Sequence, residues 1–483
     1  MNDDSLKNKL FSGVMWKGLE RICAQGVSTI VSIILARILA PEDYAVISIV
    51  SIFFMFCNVF ISSGFNTALV QKKDADELDY STVFSVSFLV SVICYFVMFF
   101  LAPYIAKWYS NDLLIPVIRV MSLTLIIDAV KSIVCAKISS NLDFKSFFLA
   151  TIIGTVISAF VGIGMAYRGY GAWALVAQQM TNSFIDTVIL FAVTKIRLRF
   201  GFSKERFKPL FKFSWKLFVG GIVDTVYNQC RPLIVGLKFS GTDLALYNKG
   251  EHYPGLINSI ISDTICAVLF PAMTKVQDDE EKLLKMTRQF IRVSSYCIFP
   301  CLLGFFAVSD NFVTIVLTEK WLGCSIYLKI FCIVHMMDII QSGNIQPISA
   351  LGRTDVLLIT NIIKKTVYFI IIAIFVFFSN SPVYLAISTI ATNIFATIVN
   401  TAMTRKFVKY KLKDQFWDLF ENLIPAGLMC AAVMLIPLLN LNIYLETALQ
   451  VFTGIAVYLV LSVLLRNESL KLLVNFMKEK AKK

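Results

Sequence analysis

Polar and ionisable side chains recur at helical spacing inside long apolar stretches of this chain. In the first such stretch Lys17, Arg21, Gln25, Ser28 and Ser32 follow at intervals of three or four residues, which places them on one helix face. Other stretches carry Asn58, Ser62 and Asn66; Arg119, Thr124, Asp128, Lys131 and Cys135; Asp224, Asn228 and Arg231. Asn248, Glu251 or His252, Asn258 and Ser262 form a further set, as do Lys329, His335, Asp338 and Ser342. An ionised group at the centre of a membrane helix costs about 2.5–3.5 kcal/mol, so such residues mark a function unless they neutralise one another. Arg21 and Arg231 each lie well inside their stretch, and a buried guanidinium presents a fork of donors suited to oxyanions, phosphate above all. Carboxylates such as Asp128, Asp224, Glu251 and Asp338 can exchange, in low dielectric, between protonated and paired states. Plainer readings stand beside these. Asp128 and Lys131, three residues apart, could neutralise each other as a structural pair. Lys17 and Lys216 could snorkel to a membrane surface, and His252 and His335 could be hydrogen-bonded packing residues.

Membrane-spanning helices must hold these residues. With 57% hydrophobic residues, 41 Phe and only 16% charged residues, and a mean hydropathy of +0.73, the chain has too little polar surface to dissolve as a globule. In lipid every backbone amide must be paired internally, which leaves helices or closed barrels. Runs such as 47–60 and 369–378 are apolar on all sides, so helices are expected. At about 20 or more residues per span, the sequence predicts helices near 12–39, 44–69, 80–105, 113–137, 144–167, 171–195, 208–238, 245–274, 284–308, 324–351, 355–378, 382–404, 414–438 and 442–465. The expected class is an all-α polytopic membrane protein of about fourteen spans.

Charge gives this map an orientation. One side receives Lys7, Lys9, Lys72, Lys73, Lys137, Lys145, Lys195, Arg197, Arg199, Lys204, Arg206, Lys208, Lys275, Lys282, Arg405, Lys406, Lys409, Lys411, Lys413, Arg466 and the tail 478–483. The other receives little more than Lys107, Arg168, Lys238 and Lys320. By the positive-inside rule both termini are expected in the cytoplasm. The net charge of +13 therefore points to anionic membrane lipid and not to nucleic acid.

The polar landmarks of the first half return in order in the second. Trp16-Lys17 recurs as Trp215-Lys216, Asn58 and Ser62 as Asn258 and Ser262, and Val70-Gln71 as Val276-Gln277. Arg119, Asp128, Ser132 and Ile138-Ser139 return, each shifted by 210 positions, as Lys329, Asp338, Ser342 and Ile348-Ser349. Thr181-Asn182-Ser183-Phe184 reappears as Thr392-Asn393-Ile394-Phe395. A duplication with small insertions accounts for the series. It divides the chain into a six-helix lobe over 1–206, a second over 207–413, and two additional helices with a basic tail over 414–483. Two similar helical halves are a recurrent architecture of secondary transporters, with the substrate path between them. The polar sets fall at equivalent places in both halves, which predicts a shared, wet, charged cavity.

Other chemistries find little support. Asp278, Asp279, Glu280 and Glu281 read as a solvated helix cap. Asp74-Ala75-Asp76 has the spacing of a glycosyltransferase metal motif but sits on a short connector with no nucleotide-sugar domain around it. No glycine loop ending in Gly-Lys-Ser/Thr occurs, so no ATPase is expected. The 11 Cys are scattered and His252 and His335 are isolated, which predicts neither metal, disulfide framework nor cofactor. The N-terminal Asp3, Asp4, Lys7 and Lys9 precede a long span with no small-residue cleavage site, so that span is expected to remain on the mature protein.

A resemblance completes the reading. Leu35-Ala36-Arg37-Ile38-Leu39-Ala40-Pro41-Glu42-Asp43-Tyr44, Val70-Gln71-Lys72-Lys73, Leu142-Asp143-Phe144-Lys145, Gly169-Tyr170-Gly171-Ala172-Trp173-Ala174-Leu175-Val176 and Leu351-Gly352-Arg353 together resemble the polysaccharide transporter family. These are the Wzx-type flippases of the multidrug/oligosaccharidyl-lipid/polysaccharide exporter superfamily. Ala45 stands where such proteins commonly have Gly, a change that a helix start tolerates. The resemblance implies a V-shaped pair of six-helix bundles plus two C-terminal helices. It also implies a bacterial inner-membrane flippase that carries undecaprenyl-diphosphate-linked oligosaccharide to the outer leaflet for capsule, O-antigen or exopolysaccharide synthesis. On that reading Arg21, Arg119, Lys131 and Arg231 form the diphosphate path, and Gln25, Asn58, Asn228 and Asn258 bond sugar hydroxyls. Asp128, Asp224, Glu251 and Asp338 are the carboxylates that would couple transport to an H+ or Na+ gradient as the halves rock. A polysaccharide polymerase and a chain-length regulator are the expected protein partners. A multidrug exporter of the same superfamily would instead favour acid and aromatic groups over the Arg and Lys found in both halves. An integral-membrane polymerase, the enzyme alternative, would need a larger outer loop than any here.

Overall fold

In the computed structural model of the protein the described residues are 3–62, 64–72, 75–141, 144–194 and 199–471. The side chains of 3–15, 17, 21, 22, 141, 144, 263, 267, 268 and 271 are also outside the description. Arg21 and Lys17 therefore fall outside the described side chains, and Lys73, Asp74, Leu142, Asp143, Lys195, Arg197 and the tail 478–483 fall outside altogether.

Every regular element among the described residues is a helix, and packing divides the chain into Met1–Ala245 and Leu246–Lys483. The first unit holds α1 (Asp3–Ile38), α2 (Pro41–Ser62), α3 (Phe65–Gln71), α4 (Glu77–Trp108), α5 (Leu114–Met121), α6 (Leu123–Asn141), α7 (Phe144–Tyr167), α8 (Ala172–Thr194) and α9 (Lys204–Lys238). Within it α7 lies along α1 and α8, α6 packs on α4 and α8, and α9 rests on α2, α3 and α4. The long α10 (Gly241–Lys275) passes from the first unit into the second. There follow α11 (Glu280–Ala307), α12 (Ser309–Phe312), a π turn, a 3-10 turn, α13 (Ser325–Ala350), α14 (Thr354–Phe378), α15 (Pro382–Val408), α16 (Leu412–Leu435) and α17 (Ile443–Leu464). In the second unit α13 packs on α11 and α15, and α16 packs on α11 and α17. The expected limits lie near 206 and 413, whereas packing parts the chain after Ala245.

Helix starts follow their capping residues. Asp76 caps α4 by accepting from the Asp79 amide, while Asp79 returns the bond to the Asp76 amide. That Asp79 amide holds the Asp76 carboxyl below its usual range. Asp79, itself buried, also pairs with Lys72 at 2.6 Å, and Arg206 pairs with Asp76 at 2.8 Å, so the connector before α4 is tied to the start of α9. At the α7–α8 turn Gly171 has a φ of +53°, and a Cβ there would lie 2.7 Å from Asp43 Oδ1. Two of the motifs quoted above meet at that point, because only glycine lets the Asp43 carboxylate approach so closely.

Ten helical stretches among the described residues are long and apolar enough to cross a membrane. The expected spans 113–137, 171–195, 208–238 and 245–274 fall outside that set. All four are helical, but they carry much of the polar series. The stretch 113–137 is also divided, into α5 and α6. At the division Ser122 Oγ donates to the Ile118 carbonyl at 2.6 Å, a back-bond of the kind that bends helices. Elsewhere apolar side chains face outward, Phe377 and Phe378 being 84% and 83% exposed, as lipid contact requires. Interior hydroxyls turn back onto their own helix, as Thr82 does to Leu78 and Thr287 to Leu283. The chain is a multi-pass, all-helical membrane protein.

Candidate functional site

Four helices of the first unit bring ionisable and polar groups together. Lys131 on α6 donates to Asp186 Oδ2 on α8 at 2.7 Å. One turn away on each helix, Asp128 accepts from Ser183. The two links form a ladder because residues three apart on facing helices point the same way. Thr151 on α7 lies 3.4 Å from the Glu20 carboxylate of α1, and Ser158 lies 3.5 Å from Asn182 Oδ1. The direct ion pair of Lys131 is thus to Asp186, while Asp128 on its own helix is linked to Ser183 and interacts with the ammonium only through charge. The ammonium reaches across to Asp186, whose carboxylate accepts it at hydrogen-bonding distance.

Gly154 makes room for that reach. A Cβ on it would lie 1.9 Å from Asp186 Oδ1. Gly→Ala inside a helix normally stabilises by about 1 kcal/mol, but here the methyl must push the carboxylate off Lys131. Gly154→Ala should therefore lower the unfolding temperature in detergent, and an increase would contradict the close approach.

Beside this ladder an open pocket of about 350 Å³ lies between α1, α2, α7 and α8. Ser28, Ser32, Thr155, Gln178, Gln179 and Asn182 line it, with no ionised group among its lining residues. Hydroxyls and primary amides both donate and accept, which is the complement of a polyol.

The second unit places different chemistry at the matching positions. Gln341, which the repeat pairs with Lys131, donates to Asn393 Oδ1 at 2.6 Å, and Asn393 corresponds to Asn182. The link between these two helices is thus ionic in one half and amide to amide in the other. Asp338 lies 2.7 Å from His335 Nδ1. The other ring nitrogen, Nε2, is buried without a hydrogen-bond partner among the described residues and faces Gly255 of α10. Asn258 Oδ1 accepts from Ser262 at 3.0 Å, and Lys329 pairs with Asp310 at 2.7 Å.

The remaining expected residues are dispersed. Gln25 and Asn58 are half-buried on α1 and α2, their carbonyls accepting from Thr29 and Ser62. Arg119 lies on α5 with its guanidinium 4.2 Å from the Phe99 ring centre. On α9 Arg231 is buried while Asp224 and Asn228 are exposed, and Glu251 on α10 is half-buried. Among the described residues no group of three His, Cys, Asp or Glu could hold a metal ion. Two participants escaped the sequence reading, Asp186 and Glu20. Asp186 lies two residues past the repeated Thr181-Asn182-Ser183-Phe184. Its own counterpart is Thr397, so a search for features common to both halves passes over it.

The sequence profile of the family described as polysaccharide biosynthesis protein matches residues 34–326. The chain belongs to that family. Proteins of similar sequence include an uncharacterized membrane protein of the cps region of Klebsiella pneumoniae, 26% identical over 75% of this chain and 76% of its own. The lipopolysaccharide biosynthesis protein WzxC of Escherichia coli is 25% identical over 75% of this chain and 74% of its own. The teichuronic acid biosynthesis protein TuaB of Bacillus subtilis is 22% identical over 73% of each chain. Among solved structures, the lipid II flippase MurJ superposes with a TM-score of 0.75 at 16% identity, over 94% of this chain and 99% of that one. An inward-facing MATE family multidrug transporter superposes with a TM-score of 0.62 at 15% identity, over 80% of this chain and 94% of that one. This polysaccharide biosynthesis protein thus has the fold of the MOP transporters.

Proposed function

We propose that this polysaccharide biosynthesis protein is a flippase that moves lipid-linked oligosaccharide repeat units from the cytoplasmic to the outer leaflet of the bacterial inner membrane. The observation that carries the reading is the hydroxyl- and amide-lined pocket beside the Lys131–Asp186 and Asp128–Ser183 ladder, in a chain of this family. A sugar head leaving water needs donors and acceptors in place of its hydration, and a diphosphate needs cations. Arg231, Arg119 and Arg21 are the assigned diphosphate contacts. Lys131 contributes its charge through the ladder, and Gln25, Asn58, Asn228 and Asn258 are the assigned sugar contacts. Asp128, Asp224, Glu251 and Asp338 remain the assigned carboxylates for coupling to H+ or Na+, with a polymerase and a chain-length regulator acting downstream.

The reading is tested in cells. Arg231→Ala should leave the protein in the membrane at normal abundance while lipid-linked repeat units accumulate on the cytoplasmic side. Arg231→Lys should recover only part of the export, because a point ammonium lacks the forked donors. Normal export by Arg231→Ala would remove this arginine from the path.

The orientation is tested separately. Reporter fusions after Lys208 and Lys411 should read cytoplasmic, and fusions after Lys107 and Ser381 should read periplasmic. A reversed pair would overturn the topology.

A further inference from the structure

The second unit holds a basic pocket that the transport reading does not use. It is an open cavity of about 750 Å³ between the first turns of α11 and the segment that follows α17, lined by Lys285, Arg288, Gln289, Arg292 and Lys471 and by two carboxylates, Glu281 and Glu468. Its floor is rigid. Asp418 of α16, fully buried, accepts from Arg288 Nε and Nη2 at 2.8 and 2.9 Å. It also accepts from Arg292 Nε and Nη2 at 2.8 and 2.5 Å, and from the Tyr410 hydroxyl at 2.5 Å. Both guanidiniums therefore spend their Nε edges on Asp418 and turn their Nη1 atoms outward. Arg288 Nη1 has no hydrogen-bond partner among the described residues, and Arg292 Nη1 rests on Glu468, a carboxylate 60% exposed. Asn467 fixes the far wall by donating to Asn422 Oδ1 at 2.8 Å and capping the next turn through the Ser469 amide, also at 2.8 Å. Lys285 and Lys471 are exposed, and neither ammonium has an ionic partner among the described residues.

We propose that this pocket binds a phosphate group at the membrane surface on which α11 and α16 begin. Arg288 Nη1 and two ammoniums without ionic partners among the described residues lie on this lining, with Arg292 Nη1 held by the exposed Glu468, and a guanidinium with added point charges is a donor set phosphate selects. The same chemistry could come from an anionic lipid headgroup or from a soluble phosphate compound, and the proposal does not depend on what the protein transports.

The test uses the whole protein in phosphatidylcholine nanodiscs doped with phosphatidylglycerol, with retained lipid read by native mass spectrometry. In parallel, thermal unfolding is followed with added inorganic pyrophosphate. The wild-type protein should retain phosphatidylglycerol over phosphatidylcholine, and Lys285→Gln with Lys471→Gln should erase the preference by about five-fold for each lysine. Both positions are exposed, so these changes should leave the fold intact. Gln289→Glu, which adds a carboxylate to the lining, should act in the same direction. A pyrophosphate-dependent stabilisation lost in the double variant, without a lipid preference, would assign the same site to a soluble phosphate. Absence of both effects, or a preference that survives the double variant, would overturn the proposal.

Discussion

Asp418→Asn is expected to be the most damaging single substitution in the second unit. The carboxylate is fully buried and accepts from two arginines and the Tyr410 hydroxyl. An amide keeps the shape but removes the charge and turns one acceptor into a donor. Arg288 would then lose its counter-ion and Arg292 would keep only the exposed Glu468, and breaking a buried pair by removing one partner typically costs about 3–5 kcal/mol. The variant should show sharply reduced abundance in membranes, and the surviving protein should unfold at a much lower temperature in detergent. Tyr410→Phe removes a single donor and should cost only about 1.5–3 kcal/mol, the value for a hydrogen bond to a charged group. Equal unfolding temperatures for wild type and Asp418→Asn would show that this network does not hold α11 to α16.

The second large effect is expected at the ladder of the first unit. Lys131→Met leaves Asp186, which is 6% exposed, without its cation, and Asp186→Asn leaves the ammonium without its anion. Because Lys131 keeps some access to water at 27% exposure, each single change should cost about 2 kcal/mol, in the range of a hydrogen bond to a charged group. The double change Lys131→Met with Asp186→Asn should recover much of that loss, since neither charge remains uncompensated. Combining Lys131→Met with Asp128→Asn should recover less, because Asp128 takes its hydrogen bond from Ser183 and its removal only relieves repulsion on Asp186. Full rescue by Asp128→Asn, with none by Asp186→Asn, would return the pairing to the single helix and contradict the geometry.

The architecture was largely legible because the hydrophobic signal is strong and repeated. Apolar runs of membrane length, basic connectors and a duplicated order of landmarks all point to one kind of fold. The division of 113–137 was less legible, since the break at Ser122, where the hydroxyl donates to the Ile118 carbonyl, leaves no mark in hydropathy. Lys131 was visible as a cation within an apolar stretch, but its partner was not. Asp186 is 55 residues away on α8 and has Thr397 as its counterpart, so neither local spacing nor the repeat could name it. The cluster at Asp418 was missed for a related reason. Arg288 and Arg292 belong to no motif or repeated landmark, and their acid comes from α16, 130 and 126 residues further along the chain.

The central claim is that the protein transfers lipid-linked oligosaccharide between leaflets, and transfer in reconstituted vesicles measures it most directly. Undecaprenyl-diphosphate-linked repeat units, labelled on the sugar and placed on one leaflet, are followed by their protection from a reagent that cannot cross the bilayer. Wild-type protein should move the label far faster than protein-free vesicles, and Arg231→Ala should fall towards the protein-free rate. Amphiphilic cations in the same vesicles should not be moved. Labelled oligosaccharide that stays on its leaflet while such cations are transported would contradict the account and make the protein an exporter of a different class.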